Sequence, residues 1–230
     1  MRACLCATGT GAARSGERSA ARAGGAPSTA KETSRCACPK GPFKSTLRRT
    51  FCPAIFAGTT IDTTPYPSGG PHDRDLQAAV SRAISANDWP TGLNAQYFIF
   101  TSKHAVPVSG YCAYHSAYNF DHDKTKPVVY AFTPYVGFFN GCDPPYYITP
   151  NNDIDSDGSI ISISHEQMEM VTDPLINAWY GNGINEIGDI CIFSFGEPYG
   201  PGQANMMINR HPYFLQEDWS QALTSCQPNL

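Results

Sequence analysis

The sequence predicts an α+β fold of zincin-like type: a mixed sheet, two main helices and an irregular, disulfide-bearing C-terminal subdomain. Two segments carry helical character, at 73–85 and 156–172. Short β-branched and aromatic runs precede and separate them in the order strand, helix, strand, strand, helix. Four cysteines, Cys112, Cys142, Cys191 and Cys226, are spread through the body and its tail.

Residues 1–50 hold ten of the sixteen Lys and Arg but only two acids, Glu17 and Glu32, and almost no large apolar side chains. Such a segment buries too little surface to offset chain entropy, so a disordered basic leader, foreign to the folded unit, is expected. A strand is predicted over Pro53–Thr60, then a Pro/Gly/Ser loop through Pro71. Helix begins at His72 or Asp73, where acids suit the dipole, and Leu76, Ala79, Val80, Ala83 and Ile84 form its apolar stripe. It stops before Trp89-Pro90. Gln96–Thr101 and Val128–Thr133 read as strands, with Gly110–Ser116 between them a loop or short strand. Pro144–Asn152 is a turn-rich bridge. Ile160, Ile161 and Ile163 favour a strand locally, but Asp155, Ser156 and Asp157 suit a helix start and Gln167–Met170 is helix-prone. The segment therefore reads as one helix from about Ser156 to Thr172, ended by Asp173-Pro174. The folded unit is one domain over 51–230, with the sheet and second helix in 51–174 and the C-terminal subdomain in 175–230.

Beyond the leader, acids outnumber bases, which argues against nucleic acid. No stretch is long enough to span a membrane. Few lysines, many Tyr, Asn, Gly and Pro, and an even set of body cysteines point to a secreted, oxidised protein, although no signal peptide is evident. Of three possible pairings, Cys112–Cys142 and Cys191–Cys226 are favoured because each joins neighbouring segments. Cys36-x-Cys38 has the wrong spacing for a zinc knuckle. A monomer is expected.

The second helix contains His165-Glu166-x-x-Glu169. His165 and Glu169 fall one turn apart on one face, the geometry by which a zincin helix presents two ligands, with Glu166 as general base. The usual second ligand is His; here it is Glu. On the motif alone, a plain polar helix face competes with a metal site.

Further pieces occur in order: Gly110-Tyr-Cys-Ala-Tyr-His115, Val129-Tyr-Ala131, Pro150-Asn-Asn-Asp153, Ser164-His-Glu166, Val171-Thr-Asp-Pro174, Asn177-Ala-Trp-Tyr180, Glu186-Ile-Gly-Asp-Ile-Cys191 and Tyr213-Phe-Leu-Gln-x-x-Trp-Ser220, then Cys226. Together, over roughly Pro53 to Cys226, they resemble the secreted Exordium / phosphate-induced proteins, and more closely the microbial relatives with a His-Glu-x-x-Glu site that are suspected zinc metallopeptidases. The plant branch generally lacks the metal-type residues, so the resemblance does not by itself imply catalysis. It implies a peptide or protein substrate where activity exists.

Zinc at a catalytic site takes three protein ligands and a water. His165 and Glu169 supply two. Asp189 lies at a suitable distance downstream for the third, with Glu186 as supporting or alternate ligand. Tyr180, Tyr213 and His211 are candidate donors to a developing oxyanion, each weighed against simple packing. His115, in Cys112-x-x-His115, reads as a structural histidine bonding its loop. Asp153-x-Asp155-x-Asp157-Gly158 copies half a calcium loop but lacks the twelfth-position acid; an acidic, capped helix start is the plainer reading. Three functions compete: a secreted zinc peptidase, a non-catalytic extracellular Exordium-type protein of cell wall or surface with at most a structural metal, and a calcium-stabilised binding domain.

Overall fold

A computed structural model describes residues 3–9, 55–103, 111–138, 141–145, 149–181 and 185–228. Most of the basic leader, with Cys36, Cys38 and Cys52, lies outside them. Against the expectation of a structureless leader, Ala3–Gly9 forms a strand, β1. It pairs antiparallel with β2 (Ile55–Asp62) on one side and with β3 (Ala95–Thr101) on the other. Backbone pairing along both edges is a source of order that composition does not advertise.

The sheet runs β2-β1-β3-β5-β4. β5 (Pro127–Thr133) is parallel to β3, and β4 (Tyr114–Asn119) pairs antiparallel with its outer edge. α1 (Asp73–Asn87) covers one face. Its stripe of Leu76, Val80, Ala83 and Ile84 packs on Tyr97, Ile99, Val128, Tyr130 and Phe132. Because side chains alternate along a strand, Phe98, Val129 and Ala131 face the other way. There they meet Met170 of α2 (Ile154–Thr172). The second helix starts slightly earlier than the sequence suggests because Asp153 caps it, accepting from the Ser156 N–H at 3.2 Å.

The same alternation orients β4. Tyr114 and Tyr118 pack on the α1 side, so His115 lies on the α2 side, where it is buried. At the other end of α2, the buried Asp173 takes Asn177 N–H at 2.6 Å and Ala178 N–H at 2.8 Å on Oδ1, turning the chain back after Pro174. The C-terminal region holds a short helix, α3 (Ile187–Ile190), and two hairpins, β6–β7 (Met206–Ile208, His211–Tyr213) and β8–β9 (Asp218–Ser220, Ser225–Gln227). The disulfides Cys112–Cys142 and Cys191–Cys226 are those favoured from sequence. No described helix is long and apolar enough to cross a membrane.

Candidate metal centre

Three side chains from two elements meet where α2 faces α3. His165 Nε2 lies 3.2 Å from Glu169 Oε1 and 3.6 Å from Asp189 Oδ1. Each of the three residues can place a ligating atom within 4.8 Å of the others. Asp189 is held there by its backbone, whose N–H donates to Glu169 Oε1 at 3.1 Å. The close approach requires Gly188. A Cβ at that position would sit 2.8 Å from His165 Nδ1 and 2.9 Å from Glu169 Oε1. Gly158 does the same one face over, since a Cβ there would meet the Cys142 carbonyl at 3.0 Å.

Glu186 does not join that triad. It lies beside His115, its Oε1 3.6 Å from Nε2. His115 Nδ1 is 3.3 Å from Glu166 Oε2 and 3.5 Å from Glu169 Oε2. The histidine read as a loop-bonding residue therefore sits among the acids of α2 and α3, and its Nε2 also reaches the Asp173 carbonyl at 3.3 Å. Its signal was the alternation of Tyr114, His115 and Tyr118, legible only once β4 is a strand.

Gln216 was not singled out from sequence either. Its Oε1 accepts from Phe193 N–H at 3.1 Å and its Nε2 donates to the Gly188 carbonyl at 2.9 Å. Those backbone contacts fix the amide, so Nε2 also donates to His165 Nδ1, 2.9 Å away. The neutral ring then carries its proton on Nε2, facing Glu169 and Asp189.

The charges are tightly linked. Burial opposes a charged His115, but Glu166, Glu169 and the charge of Glu186 outweigh it and hold the imidazolium up to about 10. His165 is also raised: Asp189 and Glu169 favour its charge, against burial. The Gln216 amide opposes it as well. Burial disfavours ionised Glu169, yet the two imidazoles bring it down to about 2. Burial pushes Glu186 up to about 7; His115 opposes this, and Glu169, Asp173 and Asp189 add to it. Glu166 is raised, chiefly by burial.

A cavity of ≈ 350 Å³ reaches His165, Glu166 and Asp189 between the Cys112–Cys142 loop and Ile192-Phe193. Tyr180 is not on it. That phenol lies near Asp173, and partial burial with that carboxylate pushes it up to about 12. It borders a separate trough with Asn185, Asp189 and Trp219. His211 is exposed in β7 opposite Ile208, and Tyr213 is half-buried opposite Met206; neither borders the cavity. The calcium-like run is dispersed. Asp153 caps α2, Asp155 Oδ2 accepts from the Tyr135 hydroxyl at 2.5 Å, and the buried Asp157 takes both N–H groups of Asn151. Among the described residues, no group of possible cation ligands includes them.

Comparison with known proteins places this arrangement in a family. The model described as "Phosphate-induced protein 1 conserved region" matches residues 72–213, which span α1 to β7 and hold both histidines and all four acids. The chain belongs to that family. It is 26% identical over 189 residues to Protein EXORDIUM-like 3 of Arabidopsis thaliana, covering 66% of this chain and 55% of that protein. It is 27% identical over 159 residues to Protein EXORDIUM-like 5 of the same plant, covering 58% and 43%. The chain thus spans about half the length of these curated relatives. No solved structure matches. The Exordium-like relatives and the two disulfides are consistent with an extracellular protein.

Proposed function

We propose that this phosphate-induced-family protein is a non-catalytic extracellular protein of Exordium type, acting at a cell wall or surface, with a structural zinc ion joining α2 to α3. The observation that carries the reading is the convergence of His165 and Glu169 with Asp189. One imidazole and two carboxylates are a donor set zinc accepts. Within the chain's own network a ligating Nε2 gives up its proton and Nδ1 gains one, and the Gln216 amide has to leave its Phe193 and Gly188 backbone contacts so that Oε1 accepts from Nδ1. Bound there, the cation would supply charge compensation for buried acids and a cross-link between two helices.

Against a catalytic role, Glu166 is buried and engaged by His115 rather than left free as a base. Tyr180 and His211 stand away from the cavity that reaches His165. A second reading, a zincin-like peptidase, is favoured by that same cavity, because Glu166 and His165 both border it. In that case the cation would polarise a peptide carbonyl and Glu166 would take the proton from the attacking water.

Glu166→Gln separates the two. The structural reading expects the wild type to bind zinc, to leave a mixed peptide library uncut, and to melt within a few degrees of the variant. Zinc-dependent cleavage by the wild type, lost in a folded variant that keeps its zinc, would replace it with the peptidase reading.

A further inference from the structure

We propose that His115, Glu169 and Glu186 form a second divalent-cation site, so that the seam holds two zinc-type ions bridged by Glu169. The inference rests on the first site and deepens it. The three residues come from β4, α2 and the start of α3, and each can place a ligating atom within 4.8 Å of the others. Glu169 serves both groups with different oxygens. Oε1 lies 3.2 Å from His165 Nε2 and Oε2 lies 3.5 Å from His115 Nδ1. A carboxylate turned this way is the usual bridge between paired ions.

Independent features point to a ligand. Glu186 is only 8% exposed, yet its Oε1 is buried without a hydrogen-bond partner and faces His115. A buried carboxylate oxygen without a hydrogen bond costs free energy unless something compensates it. The charge is also one-sided. Among the described residues, every ion pair of Glu166, Glu169, Glu186 and Asp189 is with His115 or His165, while Arg82 and Lys126 pair elsewhere. Four carboxylates and two imidazoles match two dications in charge. Glu166 has a place in the same scheme. At 3.3 Å from His115 Nδ1 it can accept that N–H, as the partner of a ligating histidine does, leaving Nε2 to face Glu186, with an ion there replacing the contact Nε2 now makes to the Asp173 carbonyl at 3.3 Å. A separate cavity of ≈ 480 Å³ is bordered by Tyr111, Tyr114, His115 and Ile176, and its lining does not include His165.

The test is the zinc content of the purified full chain by elemental analysis after equilibration with zinc alone, beside Glu186→Gln, His115→Gln, Asp189→Asn and Glu169→Gln. Near-ultraviolet circular dichroism confirms that each variant is folded. Two zinc per wild-type chain are expected, one in each of the first three variants and none in Glu169→Gln. Cobalt substitution adds a readout independent of variant stability. At two equivalents the paramagnetic signal is suppressed by coupling, and Glu186→Gln restores the spectrum of an isolated ion. One zinc in the wild type, lost in Asp189→Asn and kept in Glu186→Gln, overturns the second site and leaves the first. No zinc in the wild type overturns both, and two zinc retained by both Glu186→Gln and His115→Gln overturns the assignment of these ligands.

Discussion

Gly188 sets how near α3 comes to α2. Any side chain there runs into His165 and Glu169 at under 3 Å, so Gly188→Ala forces the imidazole or the helix to move. Overpacking of this kind costs about 1–3 kcal/mol, and the displaced ligands should also lose zinc. Urea unfolding with parallel metal analysis checks both; an alanine variant with wild-type zinc content would mean the site tolerates a wider seam than described. Gln216 gives a prediction of opposite sign. Its amide donates to His165 Nδ1, which favours the proton on Nε2 over a cation. Gln216→Glu keeps the shape and supplies an acceptor for Nδ1–H, at the loss of the donor to the Gly188 carbonyl. Because partners of a ligating histidine change metal affinity by about 10–100-fold, zinc should bind roughly tenfold tighter in the variant. Unchanged or weaker binding by competition titration would show that Nε2 of His165 is not the ligating atom. Neither residue was legible in the sequence. A glycine's role depends on what faces it, and the partners of Gln216 are backbone groups more than twenty residues away.

At the scale of elements, what was legible follows from local signals. α1 carries its apolar stripe and its ending before Trp89-Pro90, and α2 carries an acidic start and a Pro174 stop. His165, Glu169 and Asp189 were found because the first two share a helix turn and the third follows at a suitable distance. β4 was harder. Its aromatic, turn-flanked sequence fits a loop as well as a strand, and without the strand the facing of His115 cannot be assigned. Glu186, expected as a supporting or alternate ligand, lies beside His115, a neighbour that the sequence does not reveal for the same reason. β1 was hidden because its order comes from pairing on both edges, which its own residues do not reveal. The α2 start yields a prediction at this level. Asp153→Ala removes the side-chain acceptor for Ser156 and should cost about 1 kcal/mol, read as a lower urea midpoint with unchanged slope. Added calcium should leave the melting temperature of the wild type unmoved, because Asp153, Asp155 and Asp157 each already have a protein partner. A calcium-dependent rise abolished by Asp153→Ala would restore the binding-loop reading.

Across the whole molecule, two parts differ in how they are held. The sheet and its two helices share an apolar core on both faces, built on Tyr97, Ile99, Val128, Tyr130 and Phe132 on one side and Phe98, Val129 and Met170 on the other. The C-terminal region has short hairpins and exposes Ile192, Phe193 and Tyr199. It is tied by Cys191–Cys226, by Gln216 to His165 and Gly188, and by the carboxylates of α3 facing α2. Segments with few buried apolar contacts open at lower free energy than a core. If a cation joins α2 to α3, removing it should therefore loosen one part and not the other. Hydrogen exchange before and after chelation reads this directly. Amides of Ile190, Cys191 and Phe193 should exchange at least tenfold faster in the chelated protein, while those of β3 and β5 keep their protection. The disulfide remains, so the loosened segment stays tethered and protection should return when zinc is restored. Equal acceleration in sheet and C-terminal region would instead mean that the ion supports the whole fold cooperatively, and no acceleration in either would remove the metal from the account of stability.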